Sequence, residues 1–354
     1  METFAAYIPM DRRQALVSGL DMPERMSGTA LFADISGFTP LTEVLALEFG
    51  PQRGAEELTA HLNRVFTALI AEVDRYHGSV VSFSGDAITC WFGEDASHTA
   101  APSRSGADRT TAASRGAACA LAMQAAMRAL DSIPIPSGGQ QREITLAMKA
   151  ALATGSVRRF LVGDPALHQI DTLAGSLVDQ LAEAEHHAGR GEILLDQETC
   201  EALAGSARIG DRRGSRIGQS FAVLTGLTTC IEPHPWPEIP AGAIDAGIAR
   251  PWLLPAVYER LQAGQGEFLA ELRPVVSFFL RFSGIDFESD PSAGEKLDNY
   301  LRQVQQSLAR YEASLVQLTI GDKGSYLQAA FGAPVAHEDD SGRALVVALE
   351  LKNL

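Results

Sequence analysis

Apolar residues along the chain alternate between short bounded runs, which read as strands, and longer stretches at helical spacing. The run "TALFADIS" (29–36), closed by Ser-Gly, predicts a buried strand. Leu58, Leu62, Val65, Phe66, Leu69 and Val73 then recur at helical spacing, with Thr39 as the expected N-cap and Pro40 in the first helical position. Gly50, Pro51 and Gly54 predict a break near the middle of that segment. "GSVVSFSGDAITCWFG" (78–93) predicts a hairpin turning at Ser84-Gly85-Asp86. An Ala-rich helix near 110–131 comes next, then a Pro/Gly loop, "IPIPSGGQQ" (133–141), a strand pair within 143–163, a helix over 171–189 and a last strand, "GEILLD" (191–196). This alternation predicts a sheet covered by helices.

Between about 228 and 271 the composition turns to Pro and Gly, which predicts a linker, and the residues beyond 271 repeat the beginning of the chain. "VVSFFLRFSGIDF" (275–287) echoes "ALFADISGFTP" (30–40), and "LVQLTIGDKGSYLQAAFG" (315–332) echoes the first hairpin. Asp34 matches Arg281 at an offset of 247 (281 minus 34), and Phe92 matches Phe331 at 239 (331 minus 92). Order is kept while loop lengths differ, as in a duplicated domain. The second copy stops after one further helix. The expected division is 1–26 as an N-terminal helical segment, 27–227 as a first domain, 228–271 as linker, and 272–354 as the N-terminal half of a second domain.

With 354 residues, 46% hydrophobic and 21% charged, the chain can bury a sizeable core in roughly two domains. Its formal charge of -15 argues against nucleic acid and anionic membrane as partners, and the basic cluster "DRRGSR" (211–216) reads as a solvated loop. Four widely separated cysteines with no CxxC, no basic-then-apolar leader, and no apolar run of the ~18 residues a span requires point to a soluble cytoplasmic chain.

Two carboxylates stand out. Asp34 ends a strand and Asp86 sits in the turn of the hairpin, where a sheet would bring them together. Paired acids suit a divalent cation, because Mg²⁺ takes one or two protein carboxylates and completes its shell with phosphate oxygens. Ser36-Gly37-Phe38-Thr39 presents backbone amides at a helix N-terminus, an anion site by geometry and dipole. Metal beside a phosphate cradle implies nucleotide chemistry. The pair His186-His187 reads as a solvated helix end, and no GxGxxG, GxxxxGK[ST] or GxSxG is present.

On "FADISGFT", "SFSGDAITCWFG" and "GDKGSYLQAAFG" the chain resembles the class III nucleotidyl cyclases, in particular the tandem soluble adenylyl cyclases. The resemblance implies an α+β fold, a ferredoxin-like βαββαβ palm with one complete copy and a partial second one. Such domains pair within a chain or as homodimers. It further implies an adenylate cyclase that converts ATP to cyclic AMP and pyrophosphate with two Mg²⁺ or Mn²⁺ ions. Asp34 and Asp86 would then be the metal aspartates, with the Ile35 carbonyl as a backbone ligand. Gly37, Phe38 and Thr39 would cradle the triphosphate, and Lys323 would read adenine.

Departures from the family pattern leave one competent site and one pseudo-site. Arg281 replaces the second copy's metal aspartate; Asp179 and Glu183 stand where the transition-state Asn and Arg are usual; Ser82 stands where the base-reading lysine would be. The transition-state residues of the competent site would come from the half of the second copy that this sequence lacks. Little or no activity is therefore expected of the chain alone. A catalytically silent nucleotide- or anion-sensing module and a guanylate cyclase are the alternatives.

Overall fold

In the computed structural model the described residues are 4–94, 111–130, 132–137, 140–215, 218–265, 273–321, 324–352 and 354. They form α1 (Met10–Ser18), β1 (Arg25–Ser36), α2 (Phe38–Arg75), β2 (Ser79–Ser84), β3 (Ala87–Gly93), α3 (Ala112–Arg128), β4 (Ser132–Ser137), β5 (Gln140–Thr145), β6 (Ala147–Val162), β7 (Ile170–Ala174), α4 (Ser176–His187), β8 (Ile193–Leu195), α5 (Gln197–Ala202), β9 (Ala207–Gly214) and β10 (Ser220–Leu227). Beyond these come α6 (Ala246–Ala249), α7 (Pro255–Gln262), β11 (Val276–Phe282), α8 (Ala293–Arg310), β12 (Ser314–Thr319), β13 (Ser325–Phe331) and α9 (Asp340–Leu351). The fold is α+β. No helix among the described residues is long and apolar enough to cross a membrane.

The chain divides into two compact units. The larger comprises Arg25–Val157 and Ser176–Glu238 and is built on a mixed sheet in the order β2-β3-β1-β6-β8-β10-β9. One face of that sheet is buried under α2 and α3: Leu31, Ala33 and Ile35 of β1 and Ile88, Cys90 and Phe92 of β3 join Leu69 and Val73 of α2 and Met123 of α3 in one core. Helix α2 breaks as expected, at Gly50 (φ 79°, ψ 170°). The rings of Phe38 and Phe66 lie 6.3 Å apart although a straight helix would separate them by about 42 Å, so the two arms double back on one another. Gly54 marks the crossing, since a Cβ there would stand 2.8 Å from the Leu45 carbonyl oxygen.

The smaller unit comprises Met1–Glu24, Arg158–Gly175 and Ile239–Leu354. Its three-stranded sheet, β11-β13-β12, is covered by α8 and α9 through Leu297, Leu301, Leu308, Leu327, Phe331 and Val347. The last five residues of β6 pair antiparallel with β7 in this unit. There the fully buried guanidinium of Arg159 is held by Asp171 and Asp11, and Arg12 adds a second cation on Asp171 at 3.0 Å. A buried charge of this kind persists only when opposite charges and hydrogen bonds replace the lost water. Arg159 and Arg12 accordingly outweigh burial and hold the Asp171 carboxyl below the ordinary aspartate value.

Several sequence expectations are corrected. "IPIPSGGQQ" is not a loop: Ser132–Ser137 and Gln140–Thr145 form a separate two-stranded ribbon, where a proline strand needs no donor on its outer edge. The expected strand pair within 143–163 is instead the end of β5 followed by one long strand, β6. The helix expected from 171 begins at Ser176, because 170–174 is strand β7 and Gly175 (φ 110°) separates the two. "GEILLD" is not the last strand, since β9 and β10 come after it, and Asp211–Gly214 of the basic cluster lies in β9 rather than in a loop.

Candidate active site

β1 and β3 pair antiparallel with Asp34 opposite Ala87, and the ladder continues one step further as the Ile35 amide donates to the Asp86 carbonyl at 3.1 Å. β2 turns into β3 through Gly85 (φ 63°) and Asp86, so both predicted carboxylates stand at the same end of neighbouring strands. Burial raises the Asp34 carboxyl above its ordinary value, and the Asp86 charge pushes in the same direction against the pull of Lys149. A buried carboxyl beside a second acid creates a demand for positive charge.

Lys149 supplies part of it. Its Nζ lies 3.4 Å from Asp34 Oδ2 and pairs with Glu185 of α4. Burial works against this ammonium, but Glu185 and Asp34 outweigh it and raise its pKa. The sequence reading singled out neither Lys149 nor Glu185 as a site residue. The available signal was a single lysine inside the otherwise apolar run "AMKAALA".

The cradle is built by a glycine. Thr39 was expected to cap α2, but the N-cap is Gly37 (φ 112°), and no side chain caps this helix. A Cβ on Gly37 would stand 2.7 Å from the Thr145 carbonyl oxygen and 2.9 Å from Leu146 Cδ2, so only glycine fits between the end of β1 and the start of β6. Ser36 Oγ donates to the Ala147 carbonyl at 3.2 Å and fastens the same junction. The first helical hydrogen bond runs from Leu41 N to Gly37 O at 3.1 Å. The amides of Phe38 and Thr39 precede it, and Pro40 has none to offer. These amides lie at the positive end of the helix dipole, a few residues after Asp34.

No group of three or more His, Cys, Asp or Glu side chains that could hold a metal occurs among the described residues. Two carboxylates and a strand-end carbonyl nevertheless suit a hard cation that takes its remaining oxygens from phosphate. The residues present therefore fit a divalent ion.

No protein-family profile matches the chain. Human adenylate cyclase type 10 is 21% identical over 93% of this chain and 21% of its own length. The mouse protein of the same name is 24% identical over 60% of this chain and 12% of its own. Together with the two aspartates at paired strand ends and the glycine-capped helix, this likeness supports a class III nucleotidyl cyclase. The chain spans about a fifth of the length of the human relative. Among solved structures, the adenylyl cyclase CyaB from P. aeruginosa is 24% identical, with a TM-score of 0.42 over 56% of this chain and 94% of that one. A guanylyl cyclase domain from Blastocladiella emersonii is 16% identical, with a TM-score of 0.42 over 59% of this chain and all of that one.

Other positions singled out on the cyclase resemblance fall as follows. Asp179 and Glu183 lie on α4, where Glu183 meets His187 at 3.3 Å. Arg281 lies in β11 opposite Tyr326. Lys323 lies outside the described residues. Ser82 of β2 faces Thr89, and by the same ladder step in the second copy it is Gln317 that faces Gln328. Gln317 thus occupies the second copy's position equivalent to Ser82.

Proposed function

We propose that the larger unit carries the metal and triphosphate half of an adenylate cyclase site, converting ATP to 3′,5′-cyclic AMP and pyrophosphate. The observation that carries this reading is the placement of Asp34 and Asp86 at adjoining strand ends, beside a helix N-terminus cleared by Gly37. Asp34, Asp86 and the Ile35 carbonyl would hold two Mg²⁺ or Mn²⁺ ions. Once bound, these supply the Lewis acidity that eases loss of the ribose 3′-hydroxyl proton and steadies the departing pyrophosphate. The amides of Phe38 and Thr39 bind triphosphate oxygens, and Lys149 exchanges its Asp34 contact for a phosphate oxygen as the cations arrive. In the reaction the ribose O3′ forms a bond to the α-phosphorus while the bond from that phosphorus to pyrophosphate breaks. Recognition of the base and of the transition state is assigned to a paired second cyclase domain, within the chain or from a second chain.

Mn²⁺-dependent binding of ATP by the chain, followed calorimetrically, tests the half-site without requiring turnover. Binding is expected for the wild type, with affinity reduced at least about 100-fold in Asp34→Ala and Asp86→Ala, because each removes a charged ligand from a site with two. Undiminished binding in either variant would falsify the assignment. With ATP and GTP supplied in parallel, cyclic GMP as the product would establish the guanylate reading instead.

A further inference from the structure

The two arms of the proposed metal and triphosphate site are joined by an aromatic bridge. Phe38 is the first residue of α2, directly after the Gly37 cap, and is almost fully buried. Its ring stacks on Phe66 of the returning arm (6.3 Å between centroids, 24° between planes). Phe66 in turn meets Phe83 in an edge-to-face arrangement at 5.5 Å and 80°. Phe83 lies in β2, three residues before Asp86. One side chain therefore touches both the residue that opens the phosphate cradle and the strand that delivers the second carboxylate.

The second copy shows what the same backbone does without that site. Tyr311 is the C-cap of α8 as Tyr76 is of α2, and Glu312 (φ 56°) repeats the unusual left-handed conformation of His77 (φ 59°). At that spacing of 235 (311 minus 76) Phe66 corresponds to Leu301 and Phe83 to Leu318; at 247 (285 minus 38) Phe38 corresponds to Ile285. Leu301 and Leu318 are buried, so aliphatic residues satisfy the packing of this fold at both positions. Phe83, by contrast, remains half exposed, which burial alone does not explain. The three aromatics occur in the copy that has Asp34 and Asp86, and aliphatics replace them where Arg281 stands.

We propose that Phe66 is a positioning residue: by bracing Phe38 against Phe83 it fixes the distance between the amide cradle and the Asp86 turn, so that a metal-bound triphosphate meets both at once. This rests on the function proposed above. Rigid aromatic rings suit the task because a ring pair has a preferred separation and orientation, whereas leucine slides and changes rotamer.

The test is calorimetric titration of the full chain with inorganic tripolyphosphate plus Mn²⁺, and with ATP plus Mn²⁺, alongside thermal unfolding. Phe66→Leu installs the residue the second copy uses, so the melting temperature is expected to stay close to wild type. Affinity for both probes is expected to fall by about two- to tenfold per lost ring contact, the usual worth of an aromatic pair. Phe66→Tyr, which keeps the ring, is expected to bind like wild type. Phe83→Leu, at a half-exposed position that threatens folding less, is expected to weaken binding in the same direction. Wild-type affinity in Phe66→Leu, or an equal loss in Phe66→Tyr, overturns the positioning role and leaves the proposed function standing. Absence of Mn²⁺-dependent binding in the wild type overturns both.

Discussion

The ladders of the two units can be laid over one another pair by pair. Asp34 faces Ala87 and Arg281 faces Tyr326; Phe32 faces Thr89 and Phe279 faces Gln328. The outer hairpins agree equally well, from Ser79 opposite Trp91 and Ser314 opposite Ala330 up to the turn. Even the irregularity is shared, since the register shifts between Val80 and Ser82 and again between Leu315 and Gln317. The side chains differ at many of these positions, and three differences bear on the site. Arg281 replaces Asp34; the turn closed by Thr319 and Tyr326 is four residues longer (239 minus 235) than the one closed by Ser84 and Ala87; and the aromatics give way to aliphatics. Backbone pairing in this duplication is therefore tolerant of lost chemistry, because ladder hydrogen bonds do not depend on which polar side chain ends a strand.

Equal effects are expected where the copies are alike and unequal ones where they differ. The largest concerns Phe92 and Phe331, equivalent and both fully buried. Truncating either to Ala is expected to cost about 3–5 kcal/mol of the stability of its own unit, measured by denaturant unfolding. A markedly smaller loss for one would mean that its core is looser than its twin. Next come Gly37 and Gly284, equivalent and both at positive φ (112° and 97°). A Cβ at Gly37 meets the Thr145 carbonyl oxygen, while at Gly284 nothing lies within 4 Å. Gly284→Ala should cost about 1–2 kcal/mol, the left-handed penalty alone, and Gly37→Ala about 3 kcal/mol with crowding added. Equal costs would remove the distinction between a crowded cradle and an open one.

A further effect concerns the start of α5. Asp196, the N-cap of α5, is buried, and burial raises its carboxyl to about 7. The folded form thus holds a proton that the unfolded chain releases near 3.8. The associated stabilisation is complete below that value, declines as pH rises, and is gone above about 7. Asp196→Asn keeps an acceptor for the Thr199 amide and should flatten stability between pH 4 and 7, as read by melting temperature across that range. An unchanged slope would assign it to other groups.

What could be read from the sequence was local. Asp34 and Asp86 each sit inside a run whose strand and turn signals lie within a few residues, and the break at Gly50 announces itself by composition. Lys149 could not be read because its partners, Asp34 and Glu185, are distant in sequence and meet only through the sheet order and α4. The ribbon β4–β5 was hidden by Pro134 and Pro136, which count against a central strand but not against an isolated one. β9 was hidden because it is an edge strand with Arg208 and Arg212 exposed, the pattern that protects sheet edges and mimics a solvated loop. The partner of Ser82 in the second hairpin could not be fixed in one dimension, because a lengthened turn can be placed at several points, whereas the ladder sets Gln317 opposite Gln328.

The shared bulge works as a timing mark. Side chains in a strand alternate between faces, so one extra residue reverses the beat for everything after it. Since the mark falls at the same step in both hairpins, an odd number of added residues on the strand side of it would have put the rest of the hairpin out of time with its core. The four additional residues fall beyond the last ladder pairs, Ser84 with Ala87 and Thr319 with Tyr326, where that constraint does not act. What the two halves of this molecule have inherited in common is a rhythm, and the tip is the place where evolution could change the melody without losing it.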